Sequence, residues 1–286
     1  MNEQHIGFLH PGAMGVSLAA TARNTGHTAY WVSQGRSQET RQRATEHGLI
    51  EMQTIDQLCS ACSVIIAVCP PHAATEVAEQ VLACSFDGIY ADVNAISPQR
   101  ATQIGRLTTD AGVTFVDGGI IGGPAWNPGS TWLYLSGPDA HEVAACFSGG
   151  PLATEVIGDD IGKASALKMC YAANTKGTTA LLCAVVAAAE RLGVRKELEE
   201  QWSRGGSQYA QHTLARIRRV TAKAWRFAGE MEEIAATLET AGLPNGFHLA
   251  AENLYQRMAK FKGADQTPAV EDVLRALLVL DKGHEA

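Results

Sequence analysis

The segment His5-Ile6-Gly7-Phe8-Leu9-His10-Pro11-Gly12-Ala13-Met14-Gly15 constrains the fold of this chain more than any other. A short apolar run suited to a buried strand feeds a tight turn, and residues 16–24 follow as a helix whose N-terminal dipole faces that turn. Gly12 and Gly15 stand at the spacing that lets backbone amides approach a pyrophosphate and lets the helix pack on the strand, while His10 holds the place of the first glycine. Pro11 disfavours helical geometry at His10 and removes one amide from the cradle. His10, Pro11, Gly12, Ala13, Met14 and Gly15 are therefore the candidate phosphate-binding residues of a dinucleotide site.

The second strand, residues 28–32, runs into Ser33-Gln34-Gly35-Arg36-Ser37. An acid about twenty residues beyond the glycines would hold a ribose 2′-hydroxyl, and none stands there. Arg36, flanked by Ser33 and Ser37, offers a fork of donors that suits a 2′-phosphate, so the reading is NADP(H) in preference to NAD(H).

With 286 residues the chain is long enough for two domains, and its net charge of −7 gives no electrostatic ground for nucleic acid or an anionic membrane as partner. Seven cysteines, an odd number scattered through apolar segments, together with a first strand close to Met1, predict a cytoplasmic protein with reduced thiols. Cys59-x-x-Cys62 lacks a second pair at metal spacing and reads as packing, so no metal site is expected. The longest uncharged apolar run, residues 180–189, is too short to span a bilayer.

Further β-rich runs at 64–68, 88–92, 114–116, 132–136 and 154–157 alternate with helical segments through the first half. That alternation predicts an α/β, Rossmann-type doubly wound sheet over residues 1–160, with ligands at the carboxyl ends of the strands. Residues 161–286 read as an all-helical domain for substrate binding and dimerisation: one long helix over 163–192, then stretches near 195–205, 208–223, 227–241, 246–261 and 267–280.

Three more loops should follow strands onto the site. Cys69, Pro70 and Pro71 form a stiff wall for the cofactor, with His72 beside them. Asn94 lies in the segment from Asp92 to Pro98. The run Asp117-Gly118-Gly119-Ile120-Ile121-Gly122-Gly123-Pro124 reads as a loop whose glycines admit a ligand or adopt positive φ. Lys168 is the catalytic candidate, because its flanks are almost wholly apolar and Tyr171, Thr175 and Thr179 share its helical stripe. Lys163 and Lys176 fall away from that stripe. Glu230 and Glu233 read as a solvated or subunit-contact face, and His248 as a satisfied or exposed helical histidine.

These motifs, in this order, resemble the β-hydroxyacid dehydrogenase superfamily, which includes 3-hydroxyisobutyrate and 6-phosphogluconate dehydrogenases and the imine reductases. The loop at His10 to Gly15 is similar to the family's cofactor loop, the Asp92 to Pro98 segment to its Asp-x-Ser segment, Asp117 to Gly123 to its substrate loop, and Gly162 to Lys168 to its Gly-x(5)-Lys helix. The helical half resembles a poorly characterised branch with its own C-terminal domain. The resemblance implies Lys168 as general acid/base, and a homodimer built through the helical domain.

The chain departs from the family where a carboxylate would be held. Ile121 and Asn94 replace serines, and Tyr171 and Ala172 replace the paired asparagines after the lysine. The substrate residues are then Asn94, Ile121, Gly122, Gly123 and Asn174, with Asn94 also facing the cofactor. Three functions stay open: an NADPH-dependent reductase or dehydrogenase of a small carbonyl or hydroxy compound, an imine reductase drawing on Tyr171, and a non-catalytic NADPH-binding sensor.

Overall fold

The computed structural model describes residues 3–279. The described residues divide into two compact units, one up to Met169 and one from Cys170.

The first unit holds one eight-stranded sheet made of β1 (His5–Leu9), β2 (Thr28–Val32), β3 (Ile50–Met52), β4 (Val64–Ala67), β5 (Ile89–Asp92), β6 (Thr114–Gly122), β7 (Thr131–Ser136) and β8 (Ala153–Val156). The strand order is β3-β2-β1-β4-β5-β6-β7-β8. All neighbours pair parallel except β6 and β7, which run antiparallel. The first six strands thus have the order of a dinucleotide-binding sheet, with the chain reversing direction of travel between β1 and β4. Side chains alternate between two apolar layers. Ile6, Phe8, Val64 and Ile66 enter one, and Leu9, Ile65 and Ala67 the other, so both faces are covered, as a parallel sheet requires.

Two strands differ from the sequence reading. β3 was not expected: it has only three residues, and Glu51 at its centre leaves no apolar alternation to detect. Residues 117–122, expected as a loop, are the distal part of the nine-residue β6. Gly118 and Gly119 serve packing within the unit, while Gly122 takes the positive φ, 128°, that the run was expected to need. A Cβ on Gly119 would lie 2.6 Å from the carbonyl oxygen of Ala164 and 2.9 Å from the Cβ of Lys168, so only glycine lets the helix Lys163–Ala172 sit so close to the strand.

The expected long helix over 163–192 is interrupted. Helix Lys163–Ala172 continues into a π-helical turn, Ala173–Gly177, and then helix Thr178–Arg191. Helices Arg195–Trp202, Tyr209–Val220, Ala224–Thr240, Gly246–Met258 and Val270–Leu277 complete the second unit, which contains no strand among the described residues. The expected end of the last helix, residue 280, lies outside the described residues.

The π-turn has identifiable side-chain support within its own unit. Arg216 Nη2 donates to the Thr175 carbonyl at 2.5 Å and Nε to Thr179 Oγ1 at 2.6 Å, and Tyr255 Oη donates to the Lys176 carbonyl at 2.7 Å. A π-turn rearranges the regular ladder, and these donors supply the carbonyls it leaves exposed.

Candidate active site

The loop after β1 is built around the His10 carbonyl. Gly12 donates its amide to that oxygen at 2.7 Å, and a Cβ on Gly15 would stand 2.6 Å from it, so the loop closes only with glycine at position 15. Helix Ala13–Asn24 starts at Gly12 with no side-chain cap, which leaves its first-turn amides without intrahelical acceptors. A Cβ on Gly12 would meet nothing within 4 Å. Pro11 and Gly15 are buried and Ala13 is exposed.

His10 has a buried Nδ1 with no hydrogen-bond partner among the described residues. Burial pushes its pKa down to about 4, and the Arg36 charge adds to that shift. Arg36 itself is half-buried, with Nε donating to the Gln34 carbonyl at 3.3 Å. Burial lowers its pKa, although a guanidinium remains cationic at any ordinary pH. Ser33 is buried and accepts through its carbonyl from the Arg36 amide at 3.1 Å and from Arg41 Nη2 at 2.9 Å. Ser37 caps helix Gln38–Glu46, its Oγ accepting from the Thr40 amide at 3.3 Å.

Beyond β4, the Cys69 amide donates to Asn94 Oδ1 at 2.5 Å, and the Asn94 amide donates to Asp92 Oδ1 at 2.9 Å. The loops after β4 and β5 are thereby tied together. Asn94 Nδ2 and Asp92 Oδ2 are buried with no partner among the described residues. Burial raises Asp92 to about 7, with the charge of Asp117 adding to the rise, and raises Cys69 to about 12. Pro70 is exposed, Pro71 is half-buried with its carbonyl accepting from Arg100 Nη1 at 3.0 Å, and His72 is exposed.

Lys168 is half-buried on helix Lys163–Ala172, its Cβ against Gly119 of β6. The start of this helix is hydrogen-bonded to Asp117. Oδ2 of Asp117 accepts from the amides of Gly162 and Ser165, both at 3.0 Å, and from Ser136 Oγ at 3.1 Å. Oδ1 accepts from Ser165 Oγ at 2.6 Å, and Ser136 Oγ also accepts the Ala164 amide at 3.1 Å. Sequence reasoning passed over Asp117 because its glycine neighbours read as a ligand loop. The signal was present: a lone acid on an apolar strand demands buried donors. Ile121 is half-buried opposite Trp132 of β7, and Gly122 and Gly123 are exposed.

In the second unit Tyr171 and Asn174 are exposed. Thr175 and Thr179, expected on a pocket stripe, are instead engaged by Arg216. Lys176 pairs with Glu230 and lies 4.4 Å from the centroid of the Phe227 ring, while Lys163 meets Asp160 at 2.7 Å on the surface. Glu230 and Glu233 are buried, not solvated, because Lys176 supplies Glu230 with a cation from a distant part of the sequence. His248 is buried against Gly177 and Phe247, and burial lowers its pKa. Cys59 and Cys62 are buried in an apolar layer of the first unit, consistent with packing.

Residues 5–146 match the NAD binding domain of 6-phosphogluconate dehydrogenase, and residues 189–258 match a domain of unknown function, DUF1932. The chain is 30% identical over 195 residues to an uncharacterised 28.5 kDa protein of Methanothermus fervidus, covering 68% of this chain and 74% of that one. A solved conserved protein of unknown function, described as similar to 3-hydroxyacid dehydrogenases, superposes with a TM-score of 0.65 at 27% identity, covering 89% of this chain and 97% of its own. The 3-hydroxyisobutyrate dehydrogenase of Mycobacterium tuberculosis, solved with L-serine, shares the fold at a TM-score of 0.69 and 17% identity, over 97% of this chain and 100% of that one. The chain therefore belongs to the 6-phosphogluconate dehydrogenase-like family of NAD(P)-dependent oxidoreductases. Within it, the chain carries a DUF1932 helical domain after the cofactor domain.

The residues present fit such a cofactor. The uncapped helix start, the open space at Gly12 and the unpartnered Nδ1 of His10 stand together at one end of β1.

Proposed function

We propose that this protein is an NADPH-dependent oxidoreductase acting on a small carbonyl or hydroxy compound, with Lys168 as general acid/base. The observation that carries the reading is Lys168 itself, half-buried on a helix seated against Gly119 and bonded at its start to β6.

The first-turn amides of Ala13, Met14 and Gly15 and the helix dipole would hold the pyrophosphate, with His10, Pro11 and Gly12 shaping the loop around it. Arg36 would pair with a 2′-phosphate, Ser33 and Ser37 would shape its loop, and Cys69, Pro70, Pro71 and Asn94 would bound the nicotinamide side. The bound nicotinamide supplies or accepts the hydride. Lys168 would deliver a proton to the carbonyl oxygen of the substrate, and take it back from the hydroxyl in the reverse direction. Within the first unit, Asn94, Ile121, Gly122 and Gly123 would address the substrate. Without serines or paired asparagines in this set, the preference is for a substrate less dependent on a carboxylate clamp.

The test is a screen of carbonyl compounds with NADPH, followed by Lys168→Ala and Lys168→Met. Each should lower turnover by about a hundredfold or more while NADPH binding is retained, because the lost interaction belongs to the transition state. Unchanged turnover in both variants would refute the role of Lys168.

Imine reduction is the second reading, supported by exposed Tyr171 three residues from Lys168 and by the shared fold of a reductive aminase solved with NADPH and ethyl levulinate. It predicts that Tyr171→Phe harms turnover more than Lys168→Met. The free cysteines support a cytoplasmic protein. Exposed Leu181, Leu192, Phe247 and Leu249 support a homodimer through the helical unit, which sedimentation at micromolar concentration would test.

A further inference from the structure

The hydrogen bonds of Asp117 go beyond what a strand residue needs. An α-helix begins with amides that have no intrahelical acceptor, and serine, threonine, asparagine or aspartate just before the helix usually takes one of them. Here the acceptors come from the sheet. Asp117 on β6 takes the amides of Gly162 and Ser165 and the hydroxyl of Ser165, and Ser136 on β7 takes the amide of Ala164 while donating to Asp117. Three backbone donors of the helix start thus converge on two buried side chains of adjacent strands.

The second attachment lies one turn along, where Gly119 faces the Ala164 carbonyl and the Lys168 Cβ. Residues 164, 165 and 168 share one helix face by three- and four-residue spacing. The face that Asp117 anchors is therefore the face that carries Lys168. One attachment alone leaves the helix free to slide or rotate about it; two fix both its translation along β6 and its rotation. A negative charge at the helix N-terminus adds a favourable dipole interaction. Burial raises the pKa of Asp117, and the bonds from Ser165, Ser136 and Gly162 oppose that rise.

We propose that Asp117 is a positioning residue that acts through Lys168, fixing the register and rotation of the lysine-bearing helix on β6. The role of Lys168 rests on the function proposed above, whereas the anchoring of the helix does not. An amide at position 117 can keep the same map, its oxygen accepting the two backbone amides and its nitrogen donating to Ser165 Oγ. Asp117→Asn should then preserve the position of Lys168, and Asp117→Ala should release it.

The experiment uses the full-length chain with its lysines dimethylated by 13C-formaldehyde, the Lys168 resonance being assigned by its loss in Lys168→Arg. In wild type the Lys168 signal should stand apart from those of the exposed lysines. In Asp117→Ala it should move towards them, its titration midpoint shifting by about half a pH unit or more, with the other lysines unmoved and Asp117→Asn close to wild type. If Asp117→Ala fails to fold by circular dichroism, Ser165→Ala provides the milder lesion and should move the same signal in the same direction.

On a carbonyl substrate found by the screen, Asp117→Ala should lower kcat about tenfold or more with NADPH affinity within about twofold, and cost nothing further in a Lys168→Met background. A folded Asp117→Ala, or Ser165→Ala in its place, with the Lys168 signal unmoved would overturn the proposal. So would a loss of kcat that persists in full in the Lys168→Met background. Normal turnover of Lys168→Met would instead overturn the proposed function, while the resonance still reports whether Asp117 holds the helix.

Discussion

In the α/β unit five buried polar atoms, Nδ1 of His10, Oη of Tyr90, Oδ2 of Asp92, Nδ2 of Asn94 and Oε1 of Gln99, have no hydrogen-bond partner among the described residues. In the helical unit, by contrast, Lys176 meets Glu230, Arg216 spans Thr175 and Thr179, and Tyr255 reaches the Lys176 carbonyl. His248 is the exception there, its ring facing the Ala173 backbone with neither nitrogen in full hydrogen-bond geometry among the described residues. Leaving a buried polar group unsatisfied costs about 1–3 kcal/mol, so a fold keeps such groups where something else repays the cost. Three of the five, on His10, Asp92 and Asn94, lie at the ends of β1 and β5, where a dinucleotide-binding sheet places its ligand. The helical unit spends its buried charge on its own architecture, holding a π-turn that the sequence alone does not encode locally.

The largest effect should come from breaking the helical unit's ion pair. Lys176→Met leaves Glu230 buried without its cation, and chemical denaturation should report a loss of about 3–5 kcal/mol, largely recovered when Glu230→Leu is added. A loss below about 1 kcal/mol would show that the pair is not buried as described.

In the α/β unit a second effect is expected at Asp92. Its folded pKa of about 7 lies above the ordinary carboxylate value of 3.8, so the folded protein keeps a proton that the unfolded chain releases. The stability contributed by this proton is fully present below the unfolded pKa and is lost as pH rises towards 7. Between pH 4 and pH 8 that amounts to on the order of 2–4 kcal/mol, and Asp92→Asn should remove the corresponding slope. A slope identical in the two proteins would contradict the assignment.

A smaller effect is expected at the π-turn. Tyr255→Phe removes one neutral donor from the Lys176 carbonyl and should cost about 1 kcal/mol, with faster amide exchange confined to the turn. Exchange unchanged there would mean that the tyrosine does not support the turn.

The legible parts of this molecule were those written in local pattern. The spacing of Gly12 and Gly15 after an apolar run marked the loop at β1, and β-branched and aromatic residues marked seven of the eight strands. The illegible parts depend on partners far away in sequence. Four glycines in the six residues from Gly118 to Gly123 look like a flexible loop until Ala164 and Lys168 are seen occupying the space beside Gly119. Glu230 looks solvated until Lys176 reaches it, and the π-turn looks like ordinary helix until Arg216 and Tyr255 claim its carbonyls. Ser37 matched a phosphate reader by position, yet the structure also employs its hydroxyl as a helix cap.

Calorimetric titration of the full-length protein with NADPH and with NADH asks whether the polar edge of the α/β unit is a cofactor site and which cofactor it prefers. Charge-assisted hydrogen bonds from Arg36 to a 2′-phosphate contribute about 1.5–3 kcal/mol, so NADPH should bind roughly ten- to a hundredfold more tightly than NADH, and Arg36→Ala should close most of that gap by weakening NADPH alone. Equal or tighter binding of NADH would contradict the preference, and no binding of either nucleotide would contradict the site.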